Sequence, residues 1–351
     1  VTQQISIIGG GLAGSFLALR LALSGNQVTI FDDQSPNSAS RVAAGLFNII
    51  TGRYGAKSWQ AELLLKEIHD FFSNPLCQPL LQHIHYGPIF RPFKNIRDYN
   101  KWLGRSTDPS FSQLVDFHEK SMLPDQIIND LGGIMIHPCG WADTIALLKG
   151  LQQLIQKHHG SYVPGIVSYH QIHLPQKYIE TERERVYFDQ IVFCEGYQSK
   201  DNPFFSPVPI IPNKGDVLMI ESPDLHLPFI LSKKIFVIPL ADQRFLVGST
   251  YANHVTDPTP SFAAKEEICA YLDQALRMPY RVLDQKAGIR PTTPDRRPIL
   301  GSHPSMNYVH ICTGLGAKGM LLAPYCSRLL HLCIERQEID IPEDIRLARF
   351  A

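Results

Sequence analysis

A strand, a glycine-rich turn, a helix and a second strand open this chain, and nothing else in it limits the fold so strongly. Gln4-Ile5-Ser6-Ile7-Ile8 is a short β-branched run of the kind that forms a strand buried on both faces. It leads directly into Gly9-Gly10-Gly11-Leu12-Ala13-Gly14, and helical spacing follows from Ser15 to Ser24. Gly25-Asn26 ends that helix, Gln27 to Phe31 reads as the second strand, and Asp32 closes it. Gly9, Gly11 and Gly14 stand in the G-x-G-x-x-G frame, with an acid 18 positions after the last glycine. Such a β-α-β unit is a dinucleotide site. Gly9 permits the tight turn, Gly11 lets a pyrophosphate approach the backbone, and Gly14 lets helix and strand pack closely. The N–H groups at the helix start, at Leu12 and Ala13, face the phosphates. Asp32 is placed to accept the hydroxyl protons of an adenosine ribose, with Asp33 the neighbouring candidate.

At 351 residues the chain exceeds what one core usually serves, about 250–300 residues, so two lobes are expected. Thirty-three basic residues balance 33 acidic ones, and no net field favours nucleic acid or an anionic membrane. The seven cysteines are scattered and never form a Cys-x-x-Cys pair, which excludes a zinc ribbon or a disulfide framework. No metal site is expected, and the setting is expected to be reducing and cytoplasmic. Ile5 to Leu23 is apolar enough to suggest an anchor. It has three consecutive glycines, Arg20 and no basic leader, so a buried strand and helix fit better.

The segment after Asp32 separates one dinucleotide from another. An NAD domain usually continues with a further helix and strand, whereas here Ser35 to Phe47 is a run of small residues including Ser38, Ala39, Ala43, Ala44 and Gly45. Small residues let the backbone lie against something large and flat, as a flavin ring is; an ordinary polar loop is the alternative. Asp143 to His159 has the pattern of an amphipathic helix, and Tyr187 to Cys194 that of a strand ending at Glu195-Gly196. Short alternating runs at Val217–Ile220, Ile235–Ile238 and Arg244–Val247 predict an antiparallel sheet in the second lobe. Tyr308 to Cys312 then forms a strand opening into Thr313-Gly314-Leu315-Gly316-Ala317-Lys318-Gly319-Met320 and a long apolar helix. A strand, a glycine turn and a helix again make an anion-binding terminus. Lys318 either adds positive charge there or is simply solvated.

With these motifs in place the chain resembles the D-amino-acid oxidase and glycine oxidase family of FAD enzymes. The likeness runs through most of the chain: Gly9–Asp32, Ala43-Ala44-Gly45, Cys194-Glu195-Gly196, Lys214-Gly215-Asp216, Val247-Gly248-Ser249-Thr250, Arg290-Pro291 with Asp295, and Gly314–Pro324. It implies an α/β fold with a Rossmann-type FAD-binding domain and a second α+β substrate domain on an antiparallel sheet. The FAD-binding domain is expected over 1–75, 137–205 and 288–351, and the substrate domain over 76–136 and 206–287. The resemblance places Ser38, Ala39, Ala43, Ala44 and Gly45 near the flavin and pyrophosphate, and Val167 at the adenine. Glu195, Gly196 and the stretch Gly314, Gly316, Ala317, Lys318, Gly319 and Met320 also fall to the cofactor. Lys318 would face a developing anion on the flavin pyrimidine ring. Arg290 falls where the family holds the substrate carboxylate, and a planar guanidinium suits both oxygens at once.

Some positions depart from the family pattern. Phe236 stands where glycine oxidases have a tyrosine. No cysteine near Gly288 offers a covalent flavin bond, so FAD is expected to be noncovalent. Leu246 replaces a lysine that helps oxygen react in the sarcosine-oxidase branch. Thr51-Gly52-Arg53 and Lys57 are either an unfamiliar substrate contact or solvated. The reaction these features imply is oxidation of the C–N bond of an amino acid or N-substituted glycine by hydride transfer to flavin. A 2-hydroxy-acid dehydrogenase and a flavoprotein of the tRNA-modifying, amine-oxidising type are the alternatives. His137, His254, His303 and His310 read as loop or packing histidines.

Overall fold

The computed structural model describes residues 2–52, 55–120, 124–205, 207–335 and 340–350. Its first sheet has six strands, in the order Ser161–Pro164, Gln27–Asp32, Gln4–Ile8, Gln190–Phe193, Val309–Thr313 and Ile299–Ser302. All neighbours are parallel except the last pair. Both faces of this sheet are covered, as a parallel sheet requires. On one face the helices Leu12–Leu23, Ala61–Ser73, Thr144–Lys157 and Gly319–Ile334 share a core that includes Phe16, Phe71, Leu151 and Leu330. On the other, a three-stranded antiparallel meander (Ile172–His173, Tyr178–Glu180, Arg185–Tyr187) packs Ile179 towards Ile191 and Phe193. Arg20, the charged residue inside the apolar opening helix, is held by the helix Gly319–Ile334. Its Nε donates to Ser327 Oγ at 3.1 Å and its Nη2 to the Pro324 carbonyl at 3.2 Å. Asp143 caps the helix Thr144–Lys157 by accepting the Ala146 N–H at 3.0 Å.

The second sheet is larger. From Ala252–Asn253 it runs through Ile211–Glu221, Arg244–Gly248, Phe236–Pro239, Ile230–Ser232, Ile89–Pro92 and Gly133–Ile136 to Val115–His118, with Arg281–Thr292 paired to Ile211–Glu221. Every pairing is antiparallel but one, Ile230–Ser232 against Ile89–Pro92. The strand Arg281–Thr292 is continuous through residue 288, so its pairing with the second sheet extends into the stretch expected for the first lobe. At Gly288 it also meets that lobe: a Cβ there would lie 3.1 Å from Val42 Cβ and 3.3 Å from the Asn37 carbonyl. Among the described residues no helix is long and apolar enough to cross a membrane, and no group of three His, Cys, Asp or Glu side chains is placed to hold a metal.

Candidate active site

The first helix begins where the opening strand ends, and three contacts shape the turn between them. Gly9 has φ +103°, a region open to glycine, and Gly14 sits so close to the Gly9 carbonyl that any Cβ would overlap it. The Leu12 N–H is met by Ser40 Oγ at 3.0 Å, which ties the small-residue segment to the helix start. Asp32 accepts the Gly10 N–H at 3.1 Å through Oδ1, while its Oδ2 pairs with Arg41 at 3.1 Å. The acid is therefore oriented from two sides beside the turn.

These residues form one end of a cleft of ≈ 350 Å³ between the two sheets. Of the residues expected at the site, Gly9, Gly11, Leu12, Ala13, Asp32, Asp33, Ser38, Ala39, Ala43, Ala44, Gly45, Glu195, Gly196, Gly316, Ala317, Gly319, Met320 and Arg290 all line it. Four do not. Gly14 works behind the wall, against Gly9. Gly314 shapes the turn at φ +76°, near the Thr293 side chain. Val167 packs into the core under the meander, although the turn preceding it starts beside the acid, where the Gly165 N–H donates to the Asp32 carbonyl at 3.1 Å. Lys318 directs its Nζ to Ser58 Oγ at 3.3 Å, and burial, with Arg296 nearby, pushes its pKa down. On this side the cleft wall is made by Gly316, Ala317, Gly319 and Met320. Lys57 is ion-paired with Glu62, and Arg53 lies outside the described residues. Glu195 sits beside Gly9; burial raises its pKa, partly opposed by hydrogen bonds from Asn202, at 2.8 Å, and Tyr169.

At the far end stands Arg290. Its Nη1 donates to Asn213 Oδ1 at 2.8 Å and the Thr250 carbonyl at 3.2 Å, its Nη2 to Ser249 Oγ at 2.7 Å, and the Tyr251 ring lies 4.6 Å from its central carbon. Burial lowers its pKa, opposed by Tyr251 and Asp216, and an arginine stays charged under such a shift. All three hydrogen-bond acceptors are neutral. The guanidinium lies over Gly215, where a Cβ would overlap it. Sequence reasoning gives no role to Ser40, Arg41, Asn213, Ser249 and Tyr251. Asn213 and Tyr251 flank the motifs Lys214-Gly215-Asp216 and Val247-Gly248-Ser249-Thr250, and Ser249 lies within the second, but only the sheet register brings them to Arg290. Phe236 lines the cleft and Leu246 does not.

The cleft fits a flavin dinucleotide along its length: a glycine turn at a helix start, an oriented acid, a small-residue wall and a second glycine turn before the helix Gly319–Ile334. The comparisons agree. The family model for FAD dependent oxidoreductases, DAO, matches residues 4–331. The glycine oxidase of Pseudomonas aeruginosa is 29% identical over 360 residues, covering 94% of each chain. The bifunctional protein ThiO/ThiG of Synechocystis sp. is 27% identical over 376 residues, 97% of this chain, which spans only 52% of that longer protein. In structure, glycine oxidase from Geobacillus kaustophilus superposes with a TM-score of 0.85 over 99% of both chains at 19% identity.

Proposed function

Because the chain belongs to the DAO family of FAD-dependent oxidoreductases, we propose that it oxidises the C–N bond of an amino acid or N-substituted glycine whose carboxylate is held by Arg290. FAD, when bound, supplies the two-electron acceptor for the hydride of the amine-bearing carbon. The chain's own residues do the positioning. The observation that carries the reading is a buried guanidinium on the cleft wall whose hydrogen-bond acceptors are Asn213, Ser249 and the Thr250 carbonyl. None of them carries charge, so the positive charge is available to an anionic group, and the planar fork binds two oxygens at once. Holding the carboxylate fixes the adjacent carbon, and such orientation supplies much of the rate. An imine leaving this site takes up water to give the carbonyl product and the free amine.

Anaerobic flavin bleaching tests this without assuming an electron acceptor. A panel of amino acids and N-alkylglycines should bleach the flavin, and matched 2-hydroxy acids should not; the reverse pattern would transfer the site to the hydroxy-acid reading. Once a substrate is found, Arg290→Ala should keep its yellow colour and lose roughly 30- to 3000-fold in turnover efficiency, from the 2–5 kcal/mol cost of unpairing a buried charge. Arg290→Lys should recover only part of this. A variant that reduces at the normal rate would remove the carboxylate anchor.

A further inference from the structure

The floor of the cleft beside Arg290 is a sheet surface whose rows follow from strand register. Asn213 is opposite Arg290, Gly215 opposite Gly288, and Val217 opposite Gly248, which in turn faces Phe236. Alternate residues of a strand share a face, so Asn213, Gly215 and Val217 all look the same way. Arg290 leans its guanidinium back along this face to cover Gly215. Two residues further along the strand, a rise of about 7 Å, comes the next row. The part of that row that lines the cleft is apolar and closed: a Cβ at Gly248 would lie 2.9 Å from Val217 Cγ1 and 3.1 Å from Phe236 Cζ. Lys286, opposite Val217 on its other side, does not line the cleft and has its ammonium 3.9 Å from Asp284. Val217 and Phe236 both line the cleft, and Tyr251 stands over the guanidinium with 67% of its surface exposed.

Charge along the cleft is just as uneven. Among the described residues lining it, Arg290 is the one cation, and the acids are Asp32, Asp33 and Glu195. All three acids belong to the dinucleotide end, at the Gly9 turn. A carboxylate bound at Arg290 therefore has apolar surface next to it, and the described residues lining this end of the cleft include neither a second cation for another acid nor a carboxylate to hold an ammonium.

We propose that Phe236 and Val217 are specificity-determining residues, and that they select a substrate with a single carboxylate and an apolar substituent on its nitrogen or its amine-bearing carbon. The proposal rests on Arg290 as the carboxylate anchor. Each methylene buried against this row should tighten binding about fourfold. A second carboxylate there would be buried without a partner, weakening binding by on the order of a hundredfold.

The test uses the FAD-loaded protein and ligands that cannot react. Acetate, propionate, butyrate, 3-phenylpropionate and succinate are titrated by calorimetry into the wild type, Phe236→Ser and Arg290→Ala. The expected result is affinity rising with each methylene from acetate to butyrate, 3-phenylpropionate tightest, and succinate far weaker than butyrate. Phe236→Ser should flatten the rise while Arg290→Ala abolishes binding. A flat series that still depends on Arg290, or succinate equal to butyrate, would overturn the specificity inference and leave the anchor standing. No binding by the wild type, or binding unchanged in Arg290→Ala, would remove the anchor and the specificity inference together.

Discussion

Asp32 shows how far a single residue can be read from its place in a chain. Its distance from Gly14 makes it the candidate ribose acid, because the second strand of the unit has to end beside the first turn. What orients it could not be read that way. Arg41 reaches Asp32 only because the small-residue segment turns back at Ser38, and no periodicity encodes that turn. Asp32→Ala should weaken FAD retention roughly 10- to 100-fold, since hydrogen bonds to a charged group contribute about 1.5–3 kcal/mol. The Gly10 N–H and the Arg41 guanidinium lose their partner in the same step. Apoprotein titrated with FAD gives the comparison, and unchanged affinity would pass the ribose to Asp33. Lys318 shows the limit from the other side. Its position beside a glycine turn suggests a cofactor contact; its Nζ lies 3.3 Å from Ser58 Oγ, and the direction of a long flexible side chain is not written in its neighbours.

Elements were legible where one stretch of chain decides them. The opening β-α-β, the helix Thr144–Lys157 with its Asp143 cap, and the alternating strands of the second lobe all follow local patterns. Register between strands distant in sequence does not, and the Arg290 end of the cleft is made of register. Arg290 meets Asn213, 77 positions away, only because Ile211–Glu221 pairs along Arg281–Thr292. The same pairing brings Gly215 under the guanidinium, and a prediction belongs to this pair of strands. Gly215→Ala would push the guanidinium off its seat between Asn213 and Ser249. The variant should bind FAD normally, since Gly215 touches none of the contacts at the Gly9 turn, and show a turnover efficiency reduced by on the order of a hundredfold, as expected when a positioning group is displaced. FAD titration and single-turnover reduction separate the two effects. A Gly215→Ala protein as fast as wild type would show that Arg290 tolerates another seat, and that the glycine serves only the packing of the strands.

For the whole molecule, stability is tied to pH through a histidine that lies in the six-stranded sheet, far in sequence from all three carboxylates of the cofactor turn. His310 is 1% exposed, its Nδ1 is 2.9 Å from Ser302 Oγ and its Nε2 is 3.0 Å from Gln190 Oε1. Gln190 spends its own amide N–H on Gln3, so its oxygen accepts, which puts the His310 proton on Nε2 and leaves Nδ1 to accept from Ser302. The neutral ring is thus fully partnered. Burial without a facing acid pushes its pKa down to about 4, against about 6.5 in an unfolded chain. The sign follows from which state takes the proton: below pH 6.5 the unfolded chain binds it and the folded protein does not. The stability His310 confers is therefore complete above about pH 6.5 and is lost as pH falls towards 4, reaching about 3 kcal/mol at 1.36 kcal/mol per pH unit. His310→Asn keeps polar atoms at both contacts and cannot titrate. Urea midpoints measured from pH 7.5 to 4 at one FAD concentration should fall more steeply for the wild type than for this variant, with the two curves parallel above pH 7. Parallel curves throughout would mean that the ring is charged in the folded sheet, and that the strands Gln190–Phe193 and Val309–Thr313 admit water between them.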